Sequence, residues 1–121
     1  MVDATEGQEI EFSIQKIYLK DVSFESPQSP DIFRKDWNPD VNLELSTKTK
    51  AISEGIYEVV IDATATVTMN KEVVFLVEAQ QAGIFGISKI PQEQLGPMLG
   101  SYCPSILFPY LREAISDIVT K

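Results

Sequence analysis

The sequence contains no histidine, and that absence removes more chemistry than any other feature of the composition. Without imidazole there is no commonest general base, no Ser–His or Cys–His nucleophile pair, and no route to most catalytic zinc sites. Cysteine is nearly as scarce. Cys103 stands alone, so the chain has neither an intrachain disulfide nor a CxxC pair. It lies in the apolar string SYCPSILF, where a buried structural thiol is expected over a nucleophile with no activating base. Long apolar runs are missing too, and none approaches the roughly 20 residues that span a bilayer. No lysine or arginine precedes Lys16, so the N-terminus reads as neither a secretory signal nor a transit peptide. A cytoplasmic location is the default expectation, with no membrane insertion.

Positive charge is in short supply. Ten Lys and Arg stand against eighteen Asp and Glu, a net charge of −8. Phosphate binding needs a basic surface, so nucleic acid is not an expected partner. A basic partner fits, and so does a solvated acidic surface that serves solubility alone. No GxxxxGK[ST], GxGxxG or metal-spaced cluster occurs. Gly83 and Gly86 in QQAGIFGI have no following lysine and Ser/Thr pair, so backbone kinks at a strand end are expected of them. Asp21, Glu25, Asp62 and Glu78 offer carboxylates for an acid–base pair, but nothing beside them supplies a pocket of polar selectors. The sequence is read as a binding protein and not an enzyme, with no cofactor and no metal.

What is present suits one soluble domain. The 121 residues are 44% hydrophobic and 23% charged, enough to bury a single core. Residues 1–9 are polar and expected to be disordered, with one domain over 10–121. EIEFSI alternates, placing Ile10, Phe12 and Ile14 on one face of a strand. After Gln15 the parity changes at Ile17 and Leu19, which calls for a bulge or a strand that swaps faces. Residues 24–40 hold Pro27, Pro30 and Pro39, which forbid a regular ladder, together with Phe24, Ile32, Phe33 and Trp37. Such a loop must pack on something, either its own core or a ligand.

VNLELS (41–46) alternates again and is followed by a polar connection, STKTKAISEG. IYEVVIDATATVTM (56–69) is rich in β-branched residues and reads as the longest strand, with Tyr57, Val59, Ile61, Ala63, Ala65 and Val67 on its apolar face. Asn70-Lys71 makes the turn of a hairpin into EVVFLVEAQQAGIFGI. In that strand Val73, Phe75, Val77 and Ala79 take one face, and Val74 and Leu76 the other. A strand apolar on both sides predicts a second contact surface. The period then changes. IPQEQLGPMLGS predicts a short helix, and Leu107, Leu111, Ala114, Ile115 and Ile118 predict an amphipathic helix over 105–120 with Pro109 near its first turn.

Several of these strings resemble one family. IQKIYLKDVSFESPQSPDIFRKDWNPDVNLELST is similar to the opening of SecB export chaperones, with its I-Y-x-K-D-x-S-F-E-x-P and F-x-x-x-W-x-P segments. YEVV, FLVEAQQAGIFGI and GSYCPSILFPYLREAISDIV continue the likeness in order over residues 10–121. The resemblance implies an α+β fold: a four-stranded antiparallel sheet with a long C-terminal helix packed on one side, assembled as a dimer of dimers into a homotetramer. It implies an ATP-independent chaperone that holds unfolded preproteins translocation-competent and delivers them to the SecA motor.

Carried over by motif, SecA docking falls on Asp21, Glu25, Leu76 and Glu78. A client-binding groove falls on Phe24, Phe33 and Trp37 from the loop, with Val41, Leu43 and Leu45. Val77, Ala79 and Gln81 match positions that influence assembly. Family members continue into a G-F-P loop, a second helix and a zinc-binding tail, for which this sequence has no matching residues. The implied consequence is a docking surface retained, weaker client binding and no zinc. A sheet-plus-helix domain enclosing one small apolar ligand is the alternative reading.

Overall fold

The computed structural model describes residues 10–27, 30 and 38–119. Four strands, β1 (Glu11–Glu25), β2 (Asp40–Ser53), β3 (Ile56–Met69) and β4 (Glu72–Ser88), form one antiparallel sheet in the order β1-β4-β3-β2. Helix α1 (Gln92–Pro97), a π-helical turn over Met98–Tyr102 and helix α2 (Cys103–Val119) follow without a break. Helix α2 packs on β4, β3 and β1. Val59, Ile61, Ala63, Ala79, Phe85 and Ile87 of the sheet meet Cys103, Leu107 and Leu111 of the helix in the main core. Strand β3 and the hairpin turn fall where the alternation predicts, and β4 runs on to Ser88. Asn70 and Lys71 both hold positive φ, 54° and 65°, as a two-residue turn between right-twisting strands requires.

Strand β1 is a single ladder that changes parity twice. Its register with β4 shifts between Ile14 and Lys16 and again between Leu19 and Asp21. Each extra residue moves the next pair back to the same face. Phe12 and Ile14, then Ile17 and Leu19, then Val22 and Phe24 therefore all lie on the α2 side, opposite Ile87, Phe85, Gly83, Gln81, Ala79 and Val77. The bulge at Gln15 matches the expected parity change, and the one at Lys20 is an addition. Phe24 belongs to this strand and not to the irregular segment expected over residues 24–40. The expected roles of Ile32, Phe33 and Trp37 lie outside the described residues, as does the N-terminal segment 1–9.

Four further expectations are corrected. The polar connection after Ser46 is strand to Ser53, because β3 supplies partners as far as Ala51↔Tyr57 and Ser53↔Ile56 while an edge strand needs no apolar alternation. Val74 does not share a face with Leu76. The β3–β4 register shifts there, and Val74 turns inward against Val67 and Met69. Its carbonyl accepts a hydrogen bond from the Ser26 hydroxyl at 3.1 Å. Gly83 and Gly86 lie within the ladder, paired with β1 on one side and β3 on the other, and not beyond the strand end. A Cβ on Gly83 would stand 2.8 Å from the Phe85 ring and 2.9 Å from Leu107 Cδ2, so the missing side chain is what lets α2 approach β4.

Pro109 sits inside α2, beyond the first turn. It cannot donate to the preceding turn, and Pro104 has the same defect at the start of the helix. The π-helical turn precedes Pro104, with the Cys103 N–H donating to the Met98 carbonyl. Helix therefore runs continuously from the short first piece into the second.

Candidate functional site

The two faces of the sheet are chemically different, and the registers decide which residue stands on which. On the face away from α2, Glu25 is opposite Leu76, Ser23 opposite Glu78 and Asp21 opposite Gln80. Thr66, Thr64 and Asp62 of β3 continue those rows. Asp21, Glu25, Leu76 and Glu78 thus occupy adjacent rows of two neighbouring strands, although about fifty residues separate them in sequence. Leu76 is half-buried and the three carboxylates are exposed. Asp21 Oδ1 accepts the Val22 N–H at 2.9 Å, and no ion pair engages these acids among the described residues. The result is an unneutralised acidic patch around one apolar side chain.

Further along the same face the charges are paired. Lys20 Nζ lies 3.0 Å from Glu58 Oε1, and the Tyr18 hydroxyl donates to the same carboxylate. Tyr18 and Lys20 hold the Glu58 carboxyl below the usual carboxylate range, while burial and then the Glu58 contact push the Tyr18 phenol up to about 12. Lys48 Nζ lies 3.1 Å from Asp62 Oδ2, and Gln80 Nε2 donates to Asp62 Oδ1 at 2.6 Å. These two networks tie all four strands together and leave the Glu25–Glu78 end as the uncompensated part.

On the α2 side, Val41, Leu43 and Leu45 stand opposite Val67, Ala65 and Ala63. They belong to the sheet's apolar face, yet α2 does not reach them: they are 68%, 51% and 47% exposed. Between them and α2 runs an apolar groove of about 260 Å³. Ala65 forms its floor, and Phe108, Leu111 and Ile115 form its helical wall at three- and four-residue spacing. Arg112 is its one charged neighbour among the described residues, with the guanidinium 6.0 Å from the centre of the Phe108 ring. The row Leu43–Ala65–Val77–Phe24 crosses the whole sheet on this face, so Leu43 and Phe24 lie at opposite edges of one transverse row. Phe24 is 42% exposed and packs at 5.7 Å on Phe75.

Val77, Ala79 and Gln81 are buried, at 0%, 2% and 4% exposure. Gln81 is satisfied by donating Nε2 to the Tyr18 carbonyl at 3.0 Å, beside the second bulge of β1. Cys103 is fully buried, and its burial pushes the thiol up to about 11. No cluster of three metal-ligating side chains occurs among the described residues. No helix among them is long and apolar enough to cross a membrane.

Comparison with known proteins identifies the family and the fold. The model of the SecB family, the preprotein translocase subunit SecB, matches residues 5–121. A protein-export protein SecB of Methylococcus capsulatus is 50% identical over 121 residues, covering 100% of this chain and 78% of its own length. The fold is also that of a SecB-like chaperone of Mycobacterium tuberculosis, solved in complex with a ChAD peptide from an antitoxin. The TM-score is 0.74 at 17% identity, over 90% of this chain and 81% of the other. With half of its residues shared with a curated relative over its full length, and the family model matched from residue 5 to its last residue, the chain belongs to the SecB family of protein-export chaperones.

Proposed function

We propose that this chaperone works without ATP by passive capture, holding unfolded preproteins on the α2 side of the sheet and presenting the opposite face to the SecA motor. The observation that carries the reading is the separation of two surfaces by one sheet. Val41, Leu43, Leu45 and Phe24 crowd one face as unburied apolar groups, and Asp21, Glu25, Leu76 and Glu78 cluster on the other. Burial of apolar side chains is non-directional, so a groove of this kind selects for unfolded chain over any particular sequence. Phe33 and Trp37, which lie outside the described residues, are proposed to contribute to client binding as well. An acidic patch around a leucine suits a basic partner that also buries an apolar side chain. Because the two surfaces lie on opposite faces of the sheet, one can be occupied without blocking the other, as delivery requires.

Assembly into a homotetramer, a dimer of dimers in the cytoplasm, is part of the same proposal. Val77, Ala79 and Gln81 would influence it from inside the core, by setting the position of β1 and α2. The alternative, an enclosed site for one small apolar ligand, is less well supported, because the groove is open along the whole of Val41–Leu45. Glu78→Lys tests the division of labour. It is expected to weaken SecA binding in a pull-down or titration while leaving aggregation suppression unchanged; equal loss of both activities would contradict two separate surfaces.

A further inference from the structure

The face of the sheet away from α2 has two ends of opposite charge. At the end remote from the acidic patch, Lys16 and Lys50 flank Ile84 and Glu58 in one row, and Lys48 stands beyond Ala82 and Val60 in the next. Lys20 joins them from the second bulge of β1, reaching Glu58 on this face. The rows of Glu78 and Leu76 carry Glu44 and Glu25 and no lysine. Four of the chain's ten basic residues thus share one end of one face, which solubility alone does not ask for. The acids beside them do not cancel them at the surface. Side-chain exposure is 46% for Lys20 against 12% for Glu58, and 70% for Lys48 against 22% for Asp62, so the ammonium groups lie above the carboxylates. Lys50 stands opposite the same Glu58 that Lys20 engages, and neither Lys16 nor Lys50 has an ion-pair partner among the described residues. Lys20, Lys48 and Lys50 rim a hollow of about 350 Å³ that Val60 helps to line.

We propose that this lysine-rimmed end binds an acidic segment of the docked protein, so that the face reads a partner carrying a basic part and an acidic part side by side. The inference deepens the docking reading and rests on it. Four residues of strand separate Glu78 from Ala82, roughly 13 Å. A protein contact of ordinary size covers both ends of the face. The hollow admits a carboxylate between three ammonium groups, with its alkyl stem against Val60. A partner basic over its whole contact surface would be opposed at the Lys16–Lys50 row, and one acidic throughout would be opposed at Glu25 and Glu78. A nucleic acid or an anionic lipid surface is disfavoured for the second of these reasons, since a uniformly negative surface laid on this face meets Asp21, Glu25, Glu44 and Glu78. The two ends together fix which way round the partner sits, and they add specificity more than affinity.

The test is a titration of the whole chain with SecA, comparing Lys16→Glu/Lys50→Glu, the milder Lys16→Gln/Lys50→Gln, and Glu78→Lys. Lys16 and Lys50 are exposed, so the fold is expected to survive, with the urea midpoint as the check. The expected result is weaker SecA binding in all three, by about tenfold for the double reversal and about threefold for the glutamine pair, with aggregation suppression unchanged. The direction of the change is decisive. A partner that is basic only would bind more tightly once two lysines are removed. Unchanged or tighter SecA binding by both lysine variants, with Glu78→Lys still weakening it, would overturn the acidic segment and leave the docking reading intact. No effect of any variant would overturn both. Loss of binding to phosphatidylglycerol vesicles by the lysine variants, with SecA affinity kept, would assign this end to a lipid surface and overturn the proposal.

Discussion

Single residues set how closely the layers meet. Gly83 lies under α2 where a Cβ would be within 2.9 Å of Leu107. Gly83→Ala is predicted to destabilise the fold by about 1–3 kcal/mol through overpacking, measured as a lower midpoint in urea. Glu58 supplies a second residue-scale prediction. Its carboxyl is held below the usual range by the Tyr18 hydrogen bond and then Lys20. A depressed carboxylate contributes stability that is present above its unfolded pKa and lost as pH falls through the folded one. Glu58→Gln, which keeps the shape and removes the charge, should flatten the acid limb of the stability curve below the ordinary carboxylate value of 4.5.

Cys103 titrates in the opposite sense. Its uncharged form is favoured by burial, so its contribution is intact below the ordinary thiol value of 9.0 and lost as pH rises through about 11. Alkylation of Cys103 near neutral pH should follow global unfolding and accelerate with urea. A native-state rate equal to that of a free thiol would show that the helix does not seal it.

At the level of elements, the strands were legible where burial on one face imposes a period of two. Ile56–Met69 and its Asn70-Lys71 turn follow directly from β-branched content and alternation. Legibility failed where burial stops being one-sided. The second half of β2 is exposed on both faces, so nothing in its side chains announces a strand; only its pairing with β3 does. Val74 reads as an outward residue by simple parity, because a bulge is a backbone event with no side-chain signature of its own. The Lys20 bulge did leave a trace, in the parity change from Leu19 to Val22 and Phe24.

Helix α2 tolerates Pro109 because core contacts on its Leu107 and Leu111 face hold it, which helix propensity alone does not weigh. The groove is an element-scale feature, formed where α2 stops short of β2. Leu43→Asp should leave the thermal midpoint nearly unchanged, since Leu43 is half-exposed, while reducing retention of an unfolded client several-fold. A matching drop in midpoint would instead mark Leu43 as structural.

For the whole molecule, the registers explain why Asp21, Glu25, Leu76 and Glu78, distant in sequence, lie together in one acidic patch. The chain exposes large apolar side chains in two places, Ile14, Leu19 and Phe24 along β1 and Phe108 and Tyr110 on α2. Self-association is therefore predicted, with sedimentation coefficients that rise with concentration. A monomer persisting through the micromolar range would contradict it. The acidic excess of −8 predicts that the proposed SecA docking weakens as salt rises, while the proposed client holding, being apolar, does not weaken with it.

The central claim is that one sheet holds unfolded polypeptide on its α2 side. Its most direct measurement is light scattering from an unfolded preprotein diluted out of denaturant, with the chain present at increasing ratio and with Leu43→Asp in parallel. The account predicts that scattering falls with added chain and that the variant, folded by circular dichroism, suppresses it several-fold less well. Scattering untouched at any excess, or suppressed equally by both proteins, would contradict it.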